Sequence, residues 1–175
     1  VIIIDPGHGG IDGGCVSVDG IPEKGINLAI SICLRDILTS MGYEVVMTRD
    51  TDISIHDNGV EGVGNMKKSD MKNRLEIINS YENAVAISIH QNKFNDSTYS
   101  GAQMFYSNSN ELSQDFADCM QNVFVSKLQP DNTREIKEIG NDMYLLYYSN
   151  SPMIMAECGF LSNEEECKKL ESEEY

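Results

Sequence analysis

Short runs of apolar residues alternate along the chain with segments in which apolar residues recur every three or four positions. The runs are typical of buried strands. We predict five strands: VIII (1–4), YEVVMTR (43–49), AVAISIH (84–90), GAQMFYS (101–107) and PMIMAE (152–157). The stretch MYLLYYS (143–149) fits either a short helix or a strand.

Helical spacing of apolar residues predicts the segments between the strands. A first helix carries Ile26 to Met41 and ends at Gly42, and a second is capped by Ser69 or Asp70. A third carries Leu112 to Phe124, and Asn163 caps an acidic last helix. This alternation predicts one α/β domain over residues 1–175, with a mixed, mostly parallel sheet flanked by helices.

Charge and composition narrow the range of partners. The formal net charge is -15, from 28 acidic and 13 basic residues. An acidic surface repels phosphate backbones, so nucleic acid is not an expected partner, and electrostatic docking on anionic lipid is disfavoured. No apolar run approaches the ~20 residues of a membrane span.

Five cysteines form neither a CxxC pair nor an even set. This argues against a disulfide framework and against a cysteine zinc site, so we expect free thiols. Cys33 and Cys119 fall on predicted core faces, where cysteine behaves as a small apolar residue. Cys15 and Cys158 lie closer to the candidate chemistry, and their roles stay open.

Four polar residues stand where predicted strands and the first helix begin or end. His8 follows the first strand, His90 ends the third and Glu157 ends the last, while Glu23 opens the first helix. In open α/β sheets, ligands bind outside the carboxyl ends of the strands. Two histidines and a carboxylate are a common catalytic zinc set, and a further carboxylate can transfer protons. These residues are therefore the candidate site.

Other kinds of site fit the sequence less well. A single histidine at a strand end is usually structural, but two of them, with an acid after the apolar MIMA, favour a site. The glycines around His8 do not complete GxGxxG, because Asp12 stands at the last position, and no P-loop lysine follows. Motifs of serine nucleophiles, cysteine proteases and HExxH zinc peptidases are absent as well.

Six ordered blocks resemble the zinc-dependent N-acetylmuramoyl-L-alanine amidases of bacterial cell walls. They are IIIDPGHGG (2–10), PEKGINLAIS (22–31), VVMTRD (45–50), KNRLEIIN (72–79), ISIHQN (87–92) and MAECGFLSNEEE (155–166). The resemblance implies one zinc ion held by His8, Glu23 and His90, with Glu157 as the catalytic glutamate. HQN (90–92) and SGAQMFY (100–106) are most similar to the spore-cortex, germination-specific branch. Cys158 beside the glutamate departs from the small aliphatic residue more usual there.

The resemblance further implies hydrolysis of the amide between N-acetylmuramic acid and L-alanine, with muramic lactam formed later by other enzymes. Peptidoglycan is then the substrate, and an accessory spore protein is an expected partner. We expect the enzyme outside the cytoplasm, in the envelope of the developing spore. Because the chain begins directly on a core strand, we expect a leader to have been removed. The alternative is a peptidoglycan-binding or regulatory module on the same fold, inactive without a partner.

Three further expectations concern the surroundings of the site. Asp5 is a candidate hydrogen-bond acceptor for the His8 imidazole. Arg49 and Arg74 are expected to be structural and to pair with acids or carbonyls beneath the site. The glycine-, aspartate- and asparagine-rich segment 50–66 is predicted to be a long loop, a kind of loop that is often functional.

Overall fold

Six strands and five helices make up the chain in a computed structural model that describes residues 1–175. The strands are β1 (Ile2–Pro6), β2 (Val45–Met47), β3 (Val85–Asn92), β4 (Gln103–Tyr106), β5 (Lys137–Glu138) and β6 (Met153–Phe160). The helices are α1 (Glu23–Ser40), α2 (Val63–Asn79), α3 (Leu112–Lys127), α4 (Tyr144–Tyr148) and α5 (Glu164–Leu170). All five predicted strands are present, and MYLLYYS forms the short helix α4.

The strands form one sheet in the order β2-β1-β3-β6-β4-β5. β2, β1, β3 and β6 run parallel, whereas β4 runs antiparallel to β6. The predicted mixed, mostly parallel α/β architecture is confirmed. Because β1, β3 and β6 are adjacent and parallel, their carboxyl ends meet at one edge of the sheet. The residues near and just beyond these ends are thus brought together.

Two apolar layers cover the two faces of the sheet. One face carries Ile4, Ile87 and Ile154, against which α1 and α3 pack. The other carries Ile3 and Met153, and it is covered by α2 and α4 through Ile78 and Leu146 among others. This sandwich fixes the central strands and therefore the edge at which they end.

Both ends of α1 agree with the sequence pattern. Glu23 stands in its first turn, where a negative charge complements the helix dipole. At the other end Gly42 adopts a φ of 91°, which stops the helix as predicted. Asn163 also caps α5 as predicted, because its side chain accepts a hydrogen bond from the backbone of Glu166.

The predicted start of α2 is wrong. The helix begins at Val63, after Gly62 with a φ of 84°, so Ser69 and Asp70 lie in its interior. Their side chains hold the preceding loop instead of capping the helix. Asp70 accepts hydrogen bonds from the Ser54 hydroxyl and the Ile55 amide, and Ser69 accepts one from the Asp57 amide. The predicted loop is correspondingly shorter than 50–66.

The burial predicted for two cysteines is also wrong, whereas the expectation of free thiols holds. All five cysteines are unpaired, but Cys33 and Cys119 are exposed. The stripe of α1 that packs against the sheet runs through the partly buried Ile30 and Leu34, and Cys33 lies beside it on the helix surface. None of the helices has the length and apolar character needed to cross a membrane.

Candidate active site

The turn after β1 places His8 above the carboxyl edge of the sheet. His8 itself adopts a φ of 61°, a left-handed conformation that is uncommon outside glycine and recurs at functional sites. A Cβ on Gly7 would lie 2.3 Å from the His90 ring, and one on Gly14 would lie 2.5 Å from His8. These two glycines leave the space that both imidazoles occupy.

Glu23 bridges the two histidines. Its Oε2 lies 3.3 Å from Nε2 of His8, and its Oε1 lies 3.0 Å from Nδ1 of His90. The two rings meet edge to face with 4.9 Å between their centroids. One ligand atom from each of the three residues lies within 4.8 Å of the others. The structure thus brings together the three residues that the sequence predicts as metal ligands.

The Glu23 carboxylate is held ionised although it is only 1% exposed. Burial alone would raise its pKa, but hydrogen bonds and charge from His8 and His90 outweigh burial and place the pKa well below its usual range. The carboxylate also accepts hydrogen bonds from the amides of Cys15 and Gln91 and from the Asn27 side chain. These contacts fix both oxygens in position.

Asp12, and not Asp5, orients the His8 ring. Oδ2 of Asp12 lies 2.9 Å from Nδ1 of His8, which leaves Nε2 to face Glu23. The pKa of Asp12 is lowered to about 2, because contacts with His8 and Lys67 outweigh its burial. Burial works against protonation of His8, but Glu23 and Asp12 together raise its pKa.

Asp5 has a structural role, which corrects the prediction. Its buried carboxylate accepts hydrogen bonds from the hydroxyls of Thr48 and Ser88 and from the guanidinium of Arg74. It lies within β1, whereas Asp12 follows the turn and can reach back to the ring four residues earlier. The four-residue spacing of His8 and Asp12 does not predict this contact, because the two residues stand in a turn and not in a helix.

The two buried arginines support the turn from below, as predicted. Arg49 donates to the carbonyls of Pro6, Gly7 and His8. Arg74 donates to the carbonyls of Pro6 and His8 and forms ion pairs with Asp5 and Asp70. The strained turn is therefore fixed by charged donors. Asn27, one helical turn after Glu23, also donates to the Gly7 carbonyl, a role that the sequence pattern did not predict.

Glu157 is adjacent to His90 across the sheet. The two residues are register partners on β6 and β3, so their side chains lie on the same face. Oε2 of Glu157 is buried and has no hydrogen-bond partner. Burial, opposed by the charge of His90 and reinforced by that of Glu23, raises the pKa of Glu157 to about 7. A carboxyl group with this pKa is suited to accept and release a proton near neutral pH.

The donor set fits a zinc ion chemically. Two imidazole nitrogens and one ionised carboxylate are typical catalytic zinc ligands, and this set leaves a fourth position for water or substrate. The contacts of His8 with Asp12 and of Glu23 with backbone amides are the kind that orient metal ligands. A cleft of about 400 Å³ adjoins the two histidines and extends to Tyr144 and Leu146, which leaves room for a substrate.

The fold and these side chains define an enzyme active site at the carboxyl edge of an α/β sheet. Residues 2–175 match the sequence profile of the N-acetylmuramoyl-L-alanine amidases. The chain belongs to this family and is an N-acetylmuramoyl-L-alanine amidase, as the sequence blocks indicated.

Individual relatives agree with the family match. The chain is 35% identical over 175 residues to the germination-specific N-acetylmuramoyl-L-alanine amidase of Bacillus subtilis, covering all of this chain and 73% of that protein. Its fold is similar to that of the CwlD amidase of Clostridioides difficile, which was solved in complex with the GerS lipoprotein. The two structures give a TM-score of 0.95 at 41% sequence identity, and the match covers 99% of this chain and 89% of the other. An N-acetylmuramoyl-L-alanine amidase of Clostridium difficile 630 gives a TM-score of 0.85 at 32% identity, with 99% and 87% covered.

Proposed function

We propose that residues 1–175 form the catalytic domain of a zinc-dependent amidase, in which His8, Glu23 and His90 hold one zinc ion and Glu157 transfers protons. One observation carries this proposal. Nε2 of His8 and Nδ1 of His90 face the two oxygens of an ionised Glu23, beside a buried carboxyl oxygen of Glu157 that has no partner. The substrate is the amide that joins N-acetylmuramic acid to L-alanine in peptidoglycan.

The roles of the side chains follow from their protonation. Zinc bound here would polarise the scissile carbonyl and lower the pKa of a water molecule. Glu157 takes the proton of the attacking water on its unpartnered oxygen and then delivers it to the departing amine nitrogen of L-alanine. The raised pKa of Glu157, about 7, makes both transfers feasible. Asp12 keeps Nδ1 of His8 engaged, so that only Nε2 is available as a ligand.

The zinc assignment is tested by elemental analysis of purified variants. His8→Ala and His90→Ala should each lose stoichiometric zinc. His56→Ala is the matched control, because the third histidine contacts Ser54 and lies outside the donor set. Full zinc retention in both His8→Ala and His90→Ala would refute the assignment. Activity of the purified chain alone would further argue against an inactive module that needs a partner.

Spore cortex peptidoglycan is the proposed physiological substrate. The support is the 35% identity to a germination-specific amidase and the likeness of HQN (90–92) and SGAQMFY (100–106) to that branch. The enzyme would strip the stem peptide, and other enzymes would then form muramic lactam. Deleting the gene and measuring muramic lactam in purified cortex tests this role. Normal lactam content would refute it while leaving the amidase chemistry intact.

An accessory envelope protein is the proposed partner, and the developing spore envelope is the proposed location. The support is the similarity to an amidase solved in complex with a lipoprotein. Acidic residues outnumber basic ones by 28 to 13, so the domain has little electrostatic attraction to a carboxylate-rich wall, and a partner would deliver it. Cross-linking in sporulating cells should recover one envelope protein with the amidase. Recovery of the amidase in the cytoplasmic fraction would contradict the location.

A further inference from the structure

Gln91 interrupts an apolar row on one face of β3. Ile87 and Ile89 are buried on the face of the sheet that α1 covers, and alternation along the strand places the Gln91 side chain on that same face. Gln91 is only 2% exposed. An amide is therefore buried where the pattern of the strand predicts an apolar side chain, one residue after His90.

The hydrogen bonds around Gln91 fix the orientation of two buried amides. Nδ2 of Asn27 donates to the Gly7 carbonyl over 3.2 Å and to Oε1 of Glu23 over 3.1 Å, and a carbonyl and an ionised carboxylate can only accept. Oδ1 of Asn27 therefore faces the other way, where it accepts a hydrogen bond from Nε2 of Gln91 over 3.2 Å. This arrangement leaves Oε1 of Gln91 buried without a partner.

The two amides join the three elements that carry the proposed metal ligands. Gln91 directly follows the ligand supplied by β3, and Asn27 stands one helical turn after Glu23 on α1. The Gly7 carbonyl, which accepts from Asn27, directly precedes His8. The backbone amide of Gln91 also donates to Glu23 over 3.0 Å, so β3 holds this carboxylate both directly and through Asn27.

Packing alone does not account for an amide at position 91. Its Oε1 is buried and unpaired, and burying a polar atom without a partner destabilises a fold. Methionine in place of Gln91 would exchange this unpaired oxygen for another, because Oδ1 of Asn27 would lose its donor, and would bury more apolar surface. The net change in stability should be small, so the effect of the amide lies in the orientation of Asn27.

We propose that Gln91 is a positioning residue that acts through Asn27 to hold Glu23 and the turn before His8 in place relative to β3. This inference rests on the proposed function, since the side chains that it positions are the proposed zinc ligands. Without the donor from Gln91, the Asn27 amide is held at one end only, and its rotation releases both the carboxylate and the turn. Gln91 thus contributes to metal affinity although its side chain donates to none of the proposed ligands.

The test compares Gln91→Met with Gln121→Met. Gln121 is also a buried glutamine, but it lies on α3 outside the donor set, where it accepts from the Met104 amide and donates to the Ala102 carbonyl. In a competitive chelator titration, Gln91→Met should bind zinc roughly 10-fold more weakly than wild type, and Gln121→Met should keep the wild-type affinity. In thermal unfolding of the metal-free proteins, Gln121→Met should melt well below wild type, because the Met104 amide loses its partner, whereas Gln91→Met should melt close to wild type.

Two outcomes of this comparison would overturn the proposal. One is wild-type zinc affinity in Gln91→Met. The other is a loss of affinity accompanied by a fall in melting temperature as large as that of Gln121→Met, which a merely structural role predicts. Adding Gln91→Met to Asn27→Ala should cause no further loss of zinc affinity, because the residue through which Gln91 acts is already removed, and additive losses would contradict that route.

Hydrogen exchange of the metal-free protein gives a readout that needs no zinc. The Cys15 amide donates to Oε2 of Glu23 over 2.9 Å, so it should exchange faster in Gln91→Met than in wild type. The Met104 amide is the control and should exchange faster only in Gln121→Met. Unchanged exchange at Cys15 would overturn the proposal. Wild-type protein that binds no zinc, with faster exchange at Cys15 in Gln91→Met, would instead count against the proposed function alone.

Discussion

Replacing Arg74 by methionine should greatly lower the free energy of unfolding, because Arg74 supports the turn beneath the site. Arg74 is only 1% exposed and makes two ion pairs, to Asp5 over 2.7 Å and to Asp70 over 2.6 Å. It also donates to the carbonyls of Pro6 and His8. Methionine fills a similar volume but leaves the buried Asp5 carboxylate without its main counter-charge.

The magnitude follows from the unpaired charge that remains. Removing one partner of a buried ion pair typically costs about 3–5 kcal/mol. For a domain of 175 residues this corresponds to a fall in melting temperature of roughly 6–20 °C. The exposed pair between Arg35 and Asp36 gives the matched control, and Arg35→Met should cost less than about 1 kcal/mol.

The loss of stability in Arg74→Met should also depend on pH in a defined direction. In the native protein, burial would raise the pKa of Asp5, but Arg74 and two hydroxyl donors lower it overall. That stability is present above the unfolded pKa of 3.8 and is lost as the pH falls through the lower folded value. Without Arg74, burial dominates and raises the pKa of Asp5. As the pH falls from 7 towards 4, Asp5 in the variant therefore becomes protonated, and the destabilising buried charge is removed.

Urea unfolding followed by circular dichroism, with chelator present so that bound metal does not contribute, measures both effects. The gap between wild type and Arg74→Met should be largest at pH 7 and should narrow towards pH 4. A gap below about 1 kcal/mol, or one that does not change with pH, would refute the reasoning from an uncompensated buried charge.

Three further predictions concern the site and the thiols. Gly7→Ala should prevent stoichiometric zinc binding in elemental analysis, because the new Cβ would lie 2.3 Å from the His90 ring. A Cβ on Gly64 would have no atom within 4 Å, so the control Gly64→Ala should bind zinc normally, and equal zinc content in the two variants would contradict the prediction. Asp12→Asn should weaken zinc affinity by roughly 10- to 100-fold in a competitive chelator titration, because Asp12 orients His8. The control Asp115→Asn should keep the wild-type affinity, and wild-type affinity in Asp12→Asn would exclude orientation of His8 by Asp12. Iodoacetamide should modify the exposed Cys33 and Cys119 first and Cys158 last, as followed by mass spectrometry. Burial and the charge of Glu157 raise the pKa of Cys158 to about 12, and early modification of Cys158 would contradict its burial.

The main elements of the fold could be predicted because their hydrophobic periods are strong. The apolar runs of β1, β3 and β6 and the stripes of α1 and α3 are each unambiguous, and alternation of the two types implies a parallel arrangement. The beginning of α2 could not be predicted, because Gly62 provides no side-chain cap. Ser69 and Asp70 resemble helix caps locally, yet tertiary contacts with the loop use their side chains.

The candidate site was predictable to the extent that it stands at strand and helix ends. His8 follows β1, and His90 and Glu157 lie near the carboxyl ends of β3 and β6, where parallel pairing brings them together. The hydrogen-bond partner of His8 could not be predicted. Nothing in the sequence indicates that β1 directs Asp5 towards Arg74, or that the turn brings Asp12 back to the His8 ring.

The central claim is that Glu157 transfers the proton while His8, Glu23 and His90 hold the metal, and the Glu157→Gln variant tests it most directly. Zinc content and the release of new L-alanine amino termini from purified peptidoglycan are measured on the same protein sample, beside Glu164→Gln, which alters an exposed glutamate. We predict one zinc ion per chain in both variants, with nearly all hydrolysis lost only in Glu157→Gln. Loss of zinc from Glu157→Gln would make Glu157 a ligand, and wild-type hydrolysis by that variant would contradict the proposed mechanism.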